Sequence, residues 1–180
     1  MDFYIPILES QRLKLRELTE TDVTVEYINW LNDPEVNQFL ELRFISHTLE
    51  SVKKEIQIIK QQKNIYFWAI IESQSNRHIG NIKLGPINPY HNSAEIGLLI
   101  GEKSCWGKGY GTESIRLVVQ FAFQKLKLHK LTAGFYALNM GSQKAFRKNG
   151  FIIEGRLKDQ YGYENQYMDG IKVGLINSDE

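Results

Sequence analysis

The sequence predicts a mixed α/β domain in which seven strands form one mixed sheet flanked by helices. Segments of apolar period 2 and of period 3.6 follow one another in the order β-α-α-β-β-β-α-β-α-β-β. Some neighbouring strands are joined by short polar turns and others by whole helices, so hairpins and crossovers coexist in one sheet. The composition suits a layered globular core: 180 residues, 42% apolar, 12% aromatic and 24% charged.

The elements follow in order. Arg12-Leu13-Lys14-Leu15-Arg16 alternates and reads as a half-buried strand. Thr19 to Asp22 supplies helix-start chemistry for a helix over Val23 to Leu31, which Asp33-Pro34 stops. A second helix over Leu49 to Gln61 puts Val52, Ile56 and Ile59 on one face. Ile65 to Ile71 and His78 to Leu84 read as strands around the polar turn Ser73 to Arg77, and Ala94 to Ile100 as another. Tyr110 to Leu126 is the strongest helix, with Ile115, Val118, Val119, Ala122 and Leu126 on one face. Leu131 to Tyr136 is a strand, Asn139 to Asn149 a helix closed by Gly150, and Phe151 to Glu154 a short strand. The last strand is Tyr167 to Ile176, after the turn-prone Gly162 to Asn165. No repeat or linker interrupts this order, so residues 1–180 read as one domain with a core of about residues 10–177.

Charge excludes several functions. The 22 Lys+Arg and 21 Asp+Glu leave a net charge of +1, unlike the basic stripe of a nucleic-acid binder. The single cysteine, Cys105, rules out an internal disulfide framework and a cysteine-based zinc cluster. His47, His78, His91 and His129 show no metal-ligand spacing, so no metal is expected. Residues 1–10 lack the basic start and apolar stretch of a signal peptide, and apolar runs elsewhere fall far short of a membrane span. A cytoplasmic protein with no membrane or nucleic-acid partner is the expectation.

The segment Trp106-Gly107-Lys108-Gly109-Tyr110-Gly111-Thr112 carries the most chemistry. It follows a strand and opens a long helix, where backbone N–H groups and the helix dipole favour an anion such as a diphosphate. Lys108 adds a point charge. The ATP-type loop fails because Glu102 stands where its first glycine belongs and Gly109 follows Lys108. The dinucleotide fingerprint fails at Thr112, where its third glycine belongs. A glycine-rich helix start without a ligand explains the same pattern, so the neighbouring motifs decide.

Those motifs bring a family into view. Arg12 to Arg16, Trp30-Leu31-Asn32-Asp33-Pro34-Glu35-Val36, His78-Ile79-Gly80, Ala94-Glu95-Ile96-Gly97 and Trp106 to Glu113 succeed one another, followed by Asn139-x-x-Ser142-x-x-x-Phe146-x-x-x-Gly150-Phe151. From about Leu13 to Ile176 the chain resembles a GCN5-related N-acetyltransferase (GNAT) of the RimJ/RimL-like branch. Positions 106 to 111 fit that family's acetyl-CoA loop, [QR]-x-x-G-x-[GA], except that Trp106 stands at its first position.

The resemblance implies the family's mostly antiparallel sheet and an acetyl transfer from acetyl-CoA to a primary amine by direct attack in a ternary complex. It implies a cofactor site made of Leu98, Leu99, Ile100, Trp106, Gly107, Lys108, Gly109, Tyr110, Gly111, Thr112, Asn139 and Phe146. The strand residues would pair with the pantetheine arm, the loop amides would hold the diphosphate, and a main-chain N–H near Leu99 would face the thioester carbonyl. Glu95 is implied as the base that deprotonates the amine, although a solvated strand residue or an ion pair fits it too. Asn139 would contact the cofactor arm, and an N-cap role suits it equally. Phe146 occupies a position where many family members carry a proton-donating tyrosine. Phenylalanine cannot donate, which leaves Ser142, a water, Tyr161 or Tyr136, or no acid at all. Cys105 reads as a small filler.

The acceptor pocket is expected from the N-terminal helices, the Pro86 to Asn92 loop and the Gly162 to Asn165 turn, with Trp30, Phe39, Phe44, Tyr90, Tyr161 and Tyr163 nearby. The acceptor implied is a protein N-terminal amine or an amino-sugar nucleotide, and a homodimer is left open. A catalytically silent acyl-CoA sensor and an interaction module are the rival readings.

Overall fold

A computed structural model describes residues 4–178. Residues 1–3 and 179–180 lie outside the described residues, and with them the ends of the expected domain and part of the segment read for a signal.

The strands are β1 (Leu8–Glu9), β2 (Leu13–Glu17), β3 (Tyr66–Glu72), β4 (Arg77–Leu84), β5 (Ser93–Ile100), β6 (Lys130–Tyr136), β7 (Ile152–Tyr163) and β8 (Gln166–Ile176). They form one eight-stranded sheet in the order β1-β2-β3-β4-β5-β6-β8-β7. Every neighbouring pair is antiparallel except β5–β6, which is parallel. The helices are α1 (Val25–Asn32), α2 (Pro34–Asn37), α3 (Leu49–Lys60), α4 (Tyr110–Gln124) and α5 (Met140–Lys148). None of them is long and apolar enough to cross a membrane.

Both faces of the sheet are covered, and β3 shows how. Trp68 and Ile70 join Leu13, Leu15, Ile82, Ile115 and Val118 beneath α4. Ala69 and Ile71 point the other way and join Tyr27, Leu31, Val52 and Ile56 beneath α1 and α3. A strand covered on both faces reads as a continuous apolar run, as Tyr66 to Ile71 does. The start of α3 is fixed reciprocally: Thr48 Oγ1 accepts from the Ser51 amide at 3.1 Å, and Ser51 Oγ accepts from the Thr48 amide at 2.9 Å.

Three expectations are corrected. The sheet has eight strands rather than seven, because β1 is two residues long and too short to show a period. Pro34 starts a helix as well as ending one. Asp33 caps α2 by accepting from the Glu35 amide at 2.9 Å, and proline at the first helical position needs no donor partner. The strand expected over Phe151 to Glu154 runs on to Tyr163. Its side chains are mostly exposed on both faces, and register shifts at Ile153/Gly155 and Leu157/Tyr161 remove the alternation.

The parallel pair positions the site. β5 meets β6 only over Ser93–Glu95 against Lys130–Thr132. Beyond that point β5 stays with β4 as far as Ile100, while β6 stays with β8 as far as Tyr136. The sheet therefore opens into a V between Leu98–Ile100 and the segment that follows β6.

Candidate active site

A cleft of about 530 Å³ fills the V. Leu98, Leu99 and Ile100 form one wall, and Leu138 to Ser142, Lys144, Ala145 and Lys148 of α5 and its approach form the other. Trp106, Gly107, Gly109, Tyr110, Gly111 and Thr112 close one end, and residues 35–36 and 38–40 close the other. Of the residues implied by resemblance, eleven of the fourteen line this cleft: all but Glu95, Lys108 and Phe146.

The loop conformation requires its glycines. Gly107 and Gly109 have φ of +74° and +84°, a region that a β-carbon disfavours. Gly109 is the N-cap of α4 and supplies no side-chain cap, so the first-turn amides remain available to an anion. Gly111 matters for packing instead, since a β-carbon there would sit 3.1 Å from Leu98 Cδ2 and its absence lets α4 approach β5.

An ion pair with a buried carboxylate and a half-exposed arginine braces this loop. Glu113, in the first turn of α4, is 6% exposed. It accepts from Ser10 Oγ at 2.6 Å, from Arg12 Nε at 2.7 Å and from Arg12 Nη2. Burial pushes the Glu113 carboxyl up, but those hydrogen bonds and the Arg12 charge outweigh it and hold the pKa below the usual value. Arg12 Nη1 also donates to the Lys108 carbonyl at 3.1 Å, and its guanidinium lies 4.9 Å from the Tyr110 ring centroid. The Tyr110 hydroxyl donates to Glu72. Lys108 itself is exposed and does not line the cleft.

The opposite wall is organised by two asparagines. Asn139 caps α5 by accepting from the Ser142 amide at 3.0 Å. Asn149 donates to the Thr112 carbonyl at 3.0 Å and so ties the end of α5 to the start of α4. The Ser142 side chain lines the cleft, and among the described residues its hydroxyl makes no hydrogen bond. The helical face that Asn139, Ser142 and Phe146 share runs from the cleft down into the core. Phe146 is 3% exposed, 6.0 Å from Phe135 and 5.0 Å from Phe151 between ring centroids. It supports α5 from beneath and does not reach the cleft.

Glu95 lies on the other face of β5, half exposed, with Lys172 Nζ 3.5 Å from its carboxylate. Its neighbours on that face are Gly97 and Leu99, and a β-carbon on Gly97 would meet no atom within 4 Å. Cys105 lines the cleft near Trp106 but is 3% exposed and packed in the core. The Trp106 indole donates to the Ile100 carbonyl at 2.8 Å.

At the far end an aromatic cluster surrounds Arg43. Phe39 stacks on Tyr163 at 5.8 Å, and Tyr136 on Tyr161 at 4.1 Å. Arg43 Nη1 donates to the Tyr136 hydroxyl at 2.7 Å, and that hydroxyl donates to Glu41 at 2.6 Å. Burial, followed by the bond to Glu41, pushes the Tyr136 pKa up to about 12, so this phenol keeps its proton at neutral pH. Trp30 instead packs on Tyr27 and His78. The Pro86 to Asn92 loop precedes the opposite end of β5, and none of its residues lines the cleft.

Sequence reasoning missed residues 35–36, 38 and 40, which lie in and after a short helix and carry no period. It also missed Leu138, Met140, Gly141, Lys144, Ala145 and Lys148. A signal existed for two of these: Lys144 and Lys148 are spaced i, i+4 on the helix whose cap had already been singled out.

A strand that parts from its parallel neighbour beside a glycine-rich helix start leaves a cleft with anion-binding amides at one end, as the resemblance to an acyltransferase implies, and the comparisons supply the class. The Acetyltransferase (GNAT) domain model matches residues 12–152. The uncharacterized N-acetyltransferase YoaA of Bacillus subtilis (strain 168) is 32% identical over 166 residues, covering 89% of this chain and 90% of that protein. Among solved structures, the ribosomal L7/L12 alpha-N-protein acetyltransferase RimL in complex with coenzyme A superposes with a TM-score of 0.86 at 20% identity, covering 97% of this chain and 100% of that one. The spermidine N-acetyltransferase of Vibrio cholerae in complex with CoA and spermine gives 0.83 at 22% identity, covering 94% and 98%. The chain belongs to the GNAT acetyltransferase family. It is an acyltransferase, an acetyl-CoA-dependent N-acetyltransferase of the GNAT type.

Proposed function

We propose that this chain, as a single RimJ/RimL-like domain, acetylates a primary amine by direct attack in a ternary complex, with acetyl-CoA held in the cleft between β5 and α5. The observation that carries this is the parting of β5 from β6 beside a helix start with uncapped amides. The residues present suit the group. The strand edge of Leu98–Ile100 offers main-chain pairing to an extended arm, and the amides from Gly107 to Thr112 suit a diphosphate. Acetyl-CoA supplies an activated thioester carbonyl.

The chain's own residues then position and deprotonate. A main-chain N–H near Leu99 favours negative charge on a carbonyl oxygen. Glu95 accepts the proton of the incoming ammonium, directly or through water, because an amine of pKa near 10.4 is otherwise protonated at neutral pH. The hydroxyl of Ser142 on the cleft wall hands a proton to the leaving sulfur and regains one from water, so that no alkoxide is left behind. Cys105 is packed away, which supports transfer without an acyl-enzyme.

The acceptor we propose is a protein N-terminal amine or an amino-sugar nucleotide. Phe39, Tyr161 and Tyr163, partly exposed and stacked around the buried Tyr136, offer flat apolar surface at one end of the site. A polyamine fits less well, although a relative acts on spermidine. Among the described residues the one acidic side chain lining the cleft is Glu35, and it shares Lys103 Nζ with Asp33, each at 2.7 Å. The test is thiol release from acetyl-CoA against N-terminal peptides, lysine peptides, polyamines, aminoglycosides and amino-sugar nucleotides. Release that depends on an N-terminal peptide or amino-sugar nucleotide supports the reading. Release with polyamines alone overturns the acceptor class, and CoA binding without release from any amine favours a silent sensor.

A further inference from the structure

His78 is a partly buried titratable group that the transfer reaction leaves without a role, and it stands at the joint where the cleft wall ends. Ile79 of β4 is an extra residue in the pairing with β3, since Ile70 faces Gly80 and Ile71 faces His78. The Ile79 carbonyl accepts from two amides of the chain leaving β5, Gly101 at 3.0 Å and Glu102 at 3.1 Å. His78 braces this bulge: its Nε2 lies 2.9 Å from the Gly80 carbonyl and 2.9 Å from Asn81 Oδ1. A carbonyl can only accept, so Nε2 carries the proton of the neutral ring.

The same ring meets α1. It packs edge-on against Trp30 and Tyr27, with centroids 5.2 and 5.6 Å away. Trp30 in turn fills the space beside Gly101, where a β-carbon would fall inside the indole. Leu99, which lines the cleft, packs on the apolar cluster that Trp30 also joins. Next to this contact Lys103 bridges to Asp33 and Glu35, at 2.7 Å each, and ties the chain after β5 to α2. Ile100, the last residue of the cleft wall on β5, is thus followed at once by a glycine clamped between an indole and a bulge.

We propose that His78 and Trp30 are positioning residues for the acetyl transfer: they seat Gly101 and so set how the Leu98–Ile100 wall leads into the glycine loop. Neither side chain lines the cleft, so the seat acts through the wall alone, and it rests on the cleft being the acetyl-CoA site. The seat needs a neutral imidazole, because protonation puts a charge and a second donor into buried, aromatic surroundings. Burial holds the His78 pKa below its usual value. The charged groups facing it are Arg16 of β2 and Asp22 ahead of α1, paired with each other at 2.5 Å. Tyr27 faces it from α1 and keeps its proton, since burial and the charges of Glu55 on α3 and of Asp22 push that phenol up.

The experiment is calorimetric titration of the intact chain with CoA at pH 7.5 and at pH 5, with a thermal midpoint recorded for each variant. Gly101→Ala drives a methyl group into the indole and should weaken CoA binding at least about ten-fold. Adding Trp30→Ala should restore most of that loss, to within about three-fold of Trp30→Ala alone. Trp30→Phe, which keeps a ring over Gly101, should retain affinity that Trp30→Ala loses. From pH 7.5 to pH 5 the wild type should lose at least about three-fold more affinity than His78→Gln, whose amide keeps a donor but takes no proton. The phosphomonoester of CoA, with a second pKa of about 6, titrates against both proteins and cancels from that comparison. Unchanged affinity in Gly101→Ala, losses that simply add in the double variant, or equal affinities of Trp30→Ala and Trp30→Phe would overturn the seat. The last comparison stands even where Gly101→Ala fails to fold. Parallel pH profiles would overturn the part assigned to His78. Failure of the wild type to bind CoA would instead overturn the acetyl-CoA reading, and the seat with it.

Discussion

Removing either half of the Arg12–Glu113 pair should have unequal consequences, because its members are unequally buried. The Glu113 side chain is 7% exposed and that of Arg12 is 46% exposed. Arg12→Ala strips two of the three hydrogen bonds from a buried carboxylate and leaves only Ser10 Oγ. A fully buried orphan charge costs about 3–5 kcal/mol. Here water enters the half-exposed space that arginine vacates, which reduces the cost to about 2–3 kcal/mol. Glu113→Gln keeps an acceptor in place, and the released guanidinium can hydrate, so the loss should be near 1 kcal/mol. Urea denaturation at pH 7 with matched m-values measures both. The pH dependence sharpens the test. Glu113 has a depressed folded pKa, so its stabilisation is present above the unfolded value of about 4.5 and is lost as pH falls through the folded value. The gap between wild type and Arg12→Ala should therefore narrow below pH 4.5. Arg12→Ala should also weaken CoA binding, since Arg12 holds the Lys108 carbonyl. Equal losses for the two variants, or a larger loss for Glu113→Gln, would refute the assignment of a buried carboxylate that depends on Arg12.

Three further outcomes are expected. Gly109→Val places a β-branched residue at φ +84° at the start of α4; it should cost about 1–2 kcal/mol of stability and weaken CoA binding at least ten-fold, and unchanged affinity would remove the loop from the cofactor site. Glu95→Gln should lower turnover by more than about three-fold at neutral pH while leaving the KM for acetyl-CoA nearly constant; a smaller drop at both neutral and high pH would show that another group takes the proton. His78 packs against Tyr27 and Trp30 and hydrogen-bonds to the Gly80 carbonyl and Asn81 Oδ1, both at 2.9 Å. Burial lowers its pKa below 6.5, so the unfolded chain binds the proton more readily and stability should fall as pH drops below about 6.5; His78→Gln should flatten that segment of the stability profile, and an unaltered slope would assign it to another group.

The fold was legible wherever one period dominated a segment. The α4 stripe of Ile115, Val118 and Ala122 and the apolar run of β3 each permit one reading, because a covered helix face and a doubly covered strand leave few alternatives. What stayed illegible had no period to offer. β1 is two residues long, α2 is a single capped turn, and β7 is exposed on both faces, so burial selects no alternating pattern along it. Pro34 shows the ambiguity of a local signal: the residue that breaks one helix is well placed to begin another.

The candidate site divides along a different line. Its backbone part was legible because glycine at positive φ and an asparagine cap leave a mark in sequence: Gly107, Gly109 and Asn139 are constrained by local geometry alone. Its side-chain part depends on which way a helix or strand is turned, and that is set by contacts distant in sequence. Ser142 and Phe146 share a helical face, yet Ser142 lines the cleft whereas Phe146 lies beneath it, because the aromatic packing of Phe135 and Phe151 draws the second turn inward. A tyrosine at position 146 with the same packing would have its hydroxyl at the edge of that aromatic stack, and its reach to the leaving sulfur would depend on how far α5 is tilted. Asn149 ties α5 to Thr112, on the helix that carries the loop. The same bond therefore governs both the wall that carries Ser142 and the start of the helix that would hold the diphosphate, so a change at Asn149 should disturb cofactor affinity and turnover together, whereas Ser142→Ala should lower turnover alone.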